Sequence, residues 1–356
     1  MGAPLIERID MDTPDSLPIR FPHESPPGPG EAVEVAEDIL WMRLPLPMRL
    51  DHVNVYALDE GDHWTLIDTG MDLSSAREAW DALLNGPLSG KPVGRVVITH
   101  HHPDHIGLLG WFAEKGAEVW ATRLGWTLAR MLQLDHQEIP PPEQLAFRRL
   151  AGMPEDALAK FATEKPFNFS QCTAKIPLGY NVIHEGMTLR LGGRTWSVHF
   201  GHGHAHDHAV LWRDKIVLAG DQIIPGISSN IGVYPAEPEA NPLADWLESC
   251  RRLRAVAEGL DPLILPGHKL PFRGVDFRLG QLIENHESAL RRIVKALADG
   301  PRTAAQLFLP IFKREITGSQ YGLALAESVA HMNYLHGAGQ VRRTLTPEGA
   351  WAYSVE

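Results

Sequence analysis

The chain has 356 residues, of which 44% are hydrophobic and 22% are charged, and these values are typical of one large globular domain with an appendage or of two domains. Its formal net charge is −11 with histidine neutral, which argues against a nucleic-acid partner because phosphate binding needs a basic face. Only Cys172 and Cys250 are present, far apart and without a CxxC, so neither a disulfide framework nor a thiolate zinc site is indicated.

The N-terminal stretch "MGAPLIERIDMDTPD" is acidic and has neither the basic start nor the apolar core of a signal peptide. No apolar run approaches the roughly 20 residues that a membrane-spanning helix needs. We therefore expect a cytoplasmic protein without a membrane partner.

Residues 1–32 predict a Pro-rich N-terminal arm, and residues 33–280 predict a catalytic domain in which short apolar strands alternate with helical patterns. In chain order, the predicted strands are "AEDILWMRLPL", "VNVYALDE", "WTLIDTG", "VGRVVITH", "AEVWATR", "MTLRLGG", "RTWSVHF", "HAVLWRD", "KIVLAGD" and "LILPGH". The predicted helices between them are "SSAREAWDALLNG", "HIGLLGWFAEKG" and "PLADWLESCRRLRAVA". The "GD" between the second and third strands indicates a hairpin.

Two further segments interrupt or follow this α/β pattern. Residues 123–175 predict a helical insertion of three short helices separated by Pro and Gly, which we expect to shape a pocket or a lid. Residues 281–356 predict three helices and a terminal hairpin, an order typical of a small winged-helix-like module.

Metal-type side chains follow four of the predicted strands. In "THHHPDH" (99–105), His100, His102 and Asp104 alternate after a buried strand, and His105 adds a fourth donor. Further donors occur in "GHGHAHDH" (201–208), at the end of "LAGD" (218–221) and at the end of "LILPGH" (263–268). Imidazole and carboxylate are the ligands that zinc, iron and manganese prefer, and a bare carboxylate after an apolar strand needs a cationic partner.

The order "LIDTG", "THHHPDH", "GHAHDH", "LAGDQ", "LPGH" resembles that of the metallo-β-lactamase superfamily over roughly residues 35–275. The resemblance implies an α/β fold, a four-layer αβ/βα sandwich with a dinuclear metal site along one edge of its two sheets. The C-terminal helices are similar to those of a subgroup often described as LACTB2-like, which includes an endoribonuclease and many hydrolases.

Carried onto this sequence, the resemblance implies one metal held by His100, His102 and His204 and a second held by Asp104, His105 and His268, with Asp221 bridging both. Asp68 matches a residue that supports the site from behind its ligands.

The third motif leaves an alternative open, because "FGHGHAHDH" replaces the family's usual "PGH". The apolar strand that follows favours His204 as the ligand, and His202 is its main rival. His101, His206 and His208 are expected to lie outside the ligand set.

We also expect His52 and Tyr56, in "MRLDHVNVY", on a hairpin that borders the substrate groove. Either residue is a candidate for substrate binding, and a purely structural role in a strand is an equal alternative.

The implied reaction is hydrolysis by a metal-bound hydroxide, with Asp104 as the proton carrier to the leaving group. The expected substrate is a small ester, thioester or lactone with an apolar part. The alternative is a phosphodiesterase or ribonuclease that uses the same two ions. A third hypothesis is a non-enzymatic protein whose C-terminal module serves dimerisation or protein docking and whose site has lost activity. All seven ligand positions are filled, which disfavours that third hypothesis.

We expect two divalent ions, zinc first with iron or manganese as alternatives, and a small-molecule substrate without nucleic acid. The arm and the C-terminal module are candidate contacts of a homodimer.

Overall fold

The computed structural model of this protein describes residues 18–213 and 215–355. The first sheet has seven strands in chain order: β1 (Val33–Ala36), β2 (Ile39–Pro45), β3 (His52–Asp59), β4 (Trp64–Ile67), β5 (Val93–Val97), β6 (Glu118–Thr122) and β7 (Asn181–Ile183). The second sheet has the order β12-β11-β10-β9-β8: β8 (Thr188–Leu191), β9 (Arg194–Gly201), β10 (His208–Arg213), β11 (Ile216–Gly220) and β12 (Leu263–Pro266). A small third sheet has the order β13-β15-β14: β13 (Arg302–Thr303), β14 (Val341–Leu345) and β15 (Trp351–Val355).

Ten α-helices lie between or after these strands in the described part of the chain. They are α1 (Ser74–Asn85), α2 (Pro103–Ile106), α3 (Leu109–Glu114), α4 (Arg123–Leu134), α5 (Pro142–Leu150), α6 (Glu155–Phe161), α7 (Pro242–Val256), α8 (Val275–Leu297), α9 (Phe308–Phe312) and α10 (Tyr321–Gly337). No helix among the described residues is long and apolar enough to cross a membrane.

The two large sheets pack face to face, and helices cover their outer faces. Trp41 from the first sheet and Trp196 from the second are fully buried in the apolar layer between the sheets. Trp80 of α1 and Phe112 of α3 pack against the outside of the first sheet, and Trp246 of α7 belongs to the cluster outside the second. These buried stripes confirm the predicted four-layer αβ/βα sandwich, because each element has one apolar face to bury.

The predicted strands and helices of the sandwich are present, and β3 and β4 form the antiparallel hairpin expected at "GD". One helix differs. The predicted helix over "HIGLLGWFAEKG" is two short helices, α2 and α3. The Leu108 N–H donates to the Gly70 carbonyl at 3.0 Å instead of continuing a helical bond, so the chain is held to the loop after β4 at that point.

Residues 1–17 of the predicted arm lie outside the described residues. The rest of the arm is attached to the sandwich. The backbones of Arg20 and Arg273 pair in both directions, at 3.2 and 2.8 Å, and the Arg20 guanidinium forms an ion pair with Asp261.

The C-terminal segment continues the core of the second sheet. Helix α8 begins at Val275, so the predicted boundary between residues 280 and 281 falls inside a helix. Ile293 of α8 and Met332 of α10 belong to the same buried cluster as Trp246. The helical insertion touches this segment too, since the Ala305 N–H donates to the Ala151 carbonyl at 2.9 Å.

Candidate metal centre

The predicted donors follow strand ends at one edge of the two sheets. The "THHHPDH" turn follows β5, and Asp221 and His268 follow β11 and β12. Asp68, predicted to support the donors, follows β4 at the same edge. Backbone hydrogen bonds join these turns across the edge. The Ala209 N–H donates to the Thr99 carbonyl at 2.8 Å, which connects the start of β10 to the turn after β5 in the other sheet. The site therefore depends on both sheets.

Three histidines, called here the first trio, meet through ring nitrogens. His100 Nε2 and His204 Nε2 each lie 3.0 Å from His102 Nδ1. The His204 Nδ1–H donates to the Asn230 carbonyl at 2.9 Å. Because a carbonyl only accepts, Nδ1 carries the proton and Nε2 of the neutral ring presents a lone pair to the trio.

The hydrogen bonds around Thr99 fix the tautomer of His100. The Thr99 hydroxyl donates to Asp68 Oδ2 at 2.8 Å, so the hydroxyl oxygen accepts the Nδ1–H of His100 at 3.0 Å. His100 Nε2 then carries no proton. Orientation of a ligating imidazole through its other nitrogen is the usual arrangement at metal sites.

Asp104, His105 and His268, the second trio, lie beside the first. Asp104 Oδ2 is 3.3 Å from His268 Nε2 and 3.6 Å from His105 Nε2. The Nδ1–H of His268 donates to the His52 carbonyl at 2.7 Å, and the Nδ1–H of His105 donates to the Asp68 carboxylate at 2.7 Å. Both rings are thus held with Nε2 directed at the shared space.

Asp221 lies between the two trios. Its Oδ1 is 3.4 Å from His105 Nε2, and its Oδ2 is 3.5 Å from His204 Nε2 and 3.4 Å from His268 Nε2. A Cβ on Gly267 would lie 2.2 Å from Asp221 Oδ1, so only glycine lets the chain after β12 pass this close to the carboxylate.

These residues fit divalent metal ions. His105 Nε2 and Asp221 Oδ1 are buried and have no hydrogen-bond partner in the described part of the chain. Buried polar atoms are nearly always paired, and imidazole nitrogens and carboxylate oxygens that converge on one space are the donors that zinc, iron or manganese bind.

The buried carboxylates raise the pKa values of the two histidines of the second trio. Burial lowers the pKa of His268, but Asp221 and Asp104 outweigh burial and raise this pKa to about 10. At His105, burial also lowers the pKa, but the neighbouring carboxylates outweigh it and hold this pKa well above its usual value. Burial and the neighbouring imidazoles instead hold the pKa of His100 well below its usual value. A metal ion bound at the second trio would therefore displace protons from His105 and His268.

The remaining histidines of the third motif have other partners. His208 is buried, and its Nε2 accepts the backbone N–H of Asp221 at 3.0 Å while its ring stacks on His100 with centroids 4.6 Å apart. It therefore supports both a trio member and the central carboxylate. His206 is exposed.

The two rivals for the third ligand differ in position. His204 belongs to a group of donor atoms within 4.8 Å of one another with His100 and His102. The side chain of His202 is 38% exposed, and its Nδ1 accepts the backbone N–H of Asp207 at 3.4 Å. His101 is half-buried beside this cluster, and its Nδ1 has no partner among the described residues.

The polar atoms of His52 and Tyr56 form hydrogen bonds with other protein atoms next to the site. His52 Nε2 accepts the backbone N–H of Lys269 at 3.0 Å, and its Nδ1–H donates to Asp51 at 2.7 Å. The Tyr56 hydroxyl donates to the Pro266 carbonyl at 2.8 Å and the residue is 3% exposed. Both side chains support the segment that carries His268. Substrate contact by either residue stays a prediction.

Sequence reasoning missed several supporting side chains. Asn54 is buried and donates to the carbonyls of Pro266 and Lys269 at 2.9 and 2.8 Å. The Thr99 hydroxyl and the Asn230 backbone carbonyl orient members of the first trio. The one local signal was a polar Asn between apolar neighbours in "VNVY", because a buried amide in a strand needs partners.

The fold and this donor set define a metal-dependent hydrolase. The family model described as "Metallo-beta-lactamase superfamily" matches residues 48–268, and the model described as "Metallo-beta-lactamase-like, C-terminal domain" matches residues 290–356. The chain belongs to the metallo-beta-lactamase superfamily, whose fold implies divalent metal ions, typically zinc.

Relatives cover nearly the whole chain. A probable metallo-hydrolase of Bacillus subtilis, YqjP, is 31% identical over 316 residues, which are 84% of this chain and 92% of the relative. The crystal structure of a beta-lactamase domain protein from Burkholderia ambifaria is 32% identical with a TM-score of 0.85, covering 95% of this chain and 97% of that one. The crystal structure of a metallo-beta-lactamase family protein from Thermus thermophilus is 28% identical with a TM-score of 0.74, covering 90% and 99%.

Proposed function

We propose that the protein is a dinuclear metal-dependent hydrolase of small esters, thioesters or lactones with an apolar part. The observation that carries this proposal is the position of Asp221, whose two oxygens lie within 3.5 Å of nitrogens from both trios. A carboxylate placed in this way would bridge two ions, one held by the first trio and one by the second. Zinc is the first candidate, and iron and manganese are alternatives.

Two divalent ions would supply a nucleophilic hydroxide at neutral pH and positive charge for the oxyanion that forms. Asp104 is the residue of the set that we assign to proton transfer. Its side chain is 17% exposed, more than those of Asp221, His105 and His268, so it is the ligand nearest to solvent in the second trio. It would carry a proton to the leaving group.

The helical insertion supports an apolar substrate. Helix α4 starts directly after β6, which pairs in parallel with β5, so the insertion leaves the sheet beside the "THHHPDH" turn. Large apolar side chains of the insertion are exposed: Leu124, Met131, Leu134, Ile139 and Phe167. Other apolar residues there pack into the core, including Trp126, Leu132, Phe147 and Phe169. The exposed set is the part that would bind an acyl or aromatic group.

We assign the segment after the sandwich to a winged-helix-like module of the LACTB2-like subgroup. The order of its helices and the β13-β15-β14 sheet support this assignment. The net charge of −11 disfavours nucleic acid as what this module binds.

The test is turnover by zinc-loaded protein on an acyl thioester, a lactone, an aryl ester and an aryl phosphodiester. We expect hydrolysis of at least one carbonyl substrate, and we expect Asp104→Ala to lower kcat by about 10²–10⁴-fold, the range for loss of a general acid or base. The matched control is Asp62→Ala, an aspartate in the β3–β4 turn whose side chain is 88% exposed.

Cleavage of the phosphodiester alone would overturn the carbonyl assignment and favour the phosphodiesterase alternative. Equal turnover by wild type and Asp104→Ala would remove Asp104 from proton transfer and from the metal shell.

A further inference from the structure

One residue, Asn230, links helix α10 of the C-terminal segment to the candidate metal centre. Asn230, in the loop between β11 and α7, contacts His204 with its backbone and Glu327 of α10 with its side chain. Its carbonyl accepts the Nδ1–H of His204 at 2.9 Å, and its Nδ2 donates to Glu327 Oε2 at 2.7 Å. A continuous chain of hydrogen bonds therefore joins helix α10 to a member of the first trio.

We propose that Glu327 is a positioning residue that sets the orientation of His204, and hence the affinity of the first trio for its metal, by holding Asn230. This inference rests on the proposed function, since it assumes that His204 binds a metal. Glu327 itself touches neither a ligand atom nor, by this assignment, the substrate.

Glu327 holds the loop through the bond that its carboxylate accepts from the Asn230 side chain. Burial raises the pKa of Glu327 to about 7 although the Asn230 side chain and the Ile231 backbone oppose that rise, so both groups favour the ionised form. A partly buried carboxylate that accepts this bond restrains Asn230, and the carbonyl that orients His204 belongs to the same residue.

Other contacts of α10 keep the same loop in register. Asn230 Nδ2 also donates to the Leu323 carbonyl at 3.3 Å, and the Val233 N–H donates to the Ala326 carbonyl at 3.1 Å. Because these bonds go to helix backbone, they fix the distance of the loop from α10. The bond from Glu327 is the one that a side-chain substitution can remove.

Glu327 also lies close to two histidines outside the metal centre. Together with His286 and His331 it forms a group of three donors within 4.8 Å of one another, as a separate metal site would. The two imidazoles, however, lie 3.4 Å apart with His286 bonded to Ser228 at 3.3 Å, and a neutral hydrogen-bond chain satisfies them. The bonds of the Glu327 carboxylate go to the loop instead.

The experiment uses the full chain with His268→Asn in every variant, which removes one donor from the second trio and so should weaken zinc binding there relative to the first trio. Zinc affinity is measured by competition with a chromophoric chelator, alongside the melting temperature of each metal-free variant. We expect Glu327→Ala to weaken zinc binding about 10–100-fold, the usual effect of removing a group that orients a ligand. Glu327→Gln, which keeps one acceptor oxygen, should recover the affinity to within about fivefold.

The matched control is Arg343→Ala. Arg343 forms a bidentate ion pair with Glu239, at 2.9 and 3.0 Å. It therefore joins the C-terminal segment to the same β11–α7 loop without touching Asn230. It should leave zinc affinity unchanged.

Three results would overturn the inference. One is wild-type zinc affinity in Glu327→Ala. Another is an equal loss of zinc affinity and of melting temperature in Glu327→Ala and Arg343→Ala. That result would mean that any loosening of the C-terminal segment weakens zinc binding. The third concerns variants in which His204 is also replaced. If Glu327→Ala still removes a zinc ion in that background, His286, Glu327 and His331 would form a metal site of their own. If the protein without any substitution bound no zinc, the proposed function itself would have failed.

Discussion

Substitution of Asp68 by Asn tests how far the site depends on a residue that we place outside the ligand set. Asp68 has a φ of +62°, a left-handed conformation that Asn tolerates better than other residues, so backbone strain changes little. Oδ1 accepts the Thr99 N–H at 2.8 Å, and Oδ2 accepts the Thr99 hydroxyl at 2.8 Å and the His105 Nδ1–H at 2.7 Å. An amide has one acceptor oxygen, so at least one buried donor loses its partner in either orientation.

The cost follows from that lost pairing. An unsatisfied buried donor costs about 1–3 kcal/mol of folding stability, and the loss of the negative charge weakens the bond to His105 as well. Because His105 is then less firmly oriented, we expect Asp68→Asn to weaken zinc binding about 10–100-fold. Competition with a chromophoric chelator measures the affinity, and urea unfolding of the metal-free protein measures the stability.

Asp72→Asn is the control for this experiment. Asp72 accepts two bonds from Arg77, at 2.6 and 2.9 Å, but touches none of the candidate ligands. It should lose some stability and keep its zinc affinity. If Asp68→Asn bound zinc as tightly as Asp72→Asn, the supporting role derived for Asp68 would be refuted.

Three further outcomes are expected. Gly267→Ala should lower kcat at least about 100-fold in the best substrate assay, because its Cβ would lie 2.2 Å from Asp221 Oδ1 and displace this proposed bridging carboxylate. Near-normal turnover would contradict this. Tyr56→Phe should cost about 1 kcal/mol in urea unfolding through its bond to the Pro266 carbonyl, with KM unchanged. Asn54→Ala should cost more, at least about 2–3 kcal/mol, because it loses two bonds to carbonyls and leaves the Trp41 and Arg43 donors without their acceptor. A raised KM in Tyr56→Phe would instead support the predicted substrate contact. Removal of metal by a chelator should lower the melting temperature, and zinc should restore it, because a ligand that binds only the folded state stabilises that state; an unchanged melting curve would argue against a metal in this site.

The sequence predicted the sandwich because its strands are short apolar runs with polar donors at their ends. It also predicted which motifs would meet, since "THHHPDH" and "LPGH" each follow a strand of the expected sandwich. The break between α2 and α3 was not predicted, because it depends on the bond from Leu108 to Gly70, which lies in a loop far from the helix in sequence. Local hydrophobic periodicity cannot indicate such a bond.

The supporting side chains were missed for the same reason. Asn230 lies in a loop without a motif, and its two partners, His204 and Glu327, come from different parts of the chain. Asn54 acts on a segment more than 200 residues away, at Pro266 and Lys269. Only the folded arrangement shows these roles, whereas the donors themselves could be recognised by residue type and spacing.

The distribution of the candidate donors over four connections in two sheets has a consequence for how the protein is made. His100 and Asp104 are synthesised long before His268, so a growing chain can complete the proposed first shell only after β11 and the proposed second shell only after β12. Once closed, the ions would act as cross-links between the two sheets, and cross-links that close long loops restrict the unfolded chain most strongly. Zinc supply during synthesis would then govern the yield of folded protein as well as its activity.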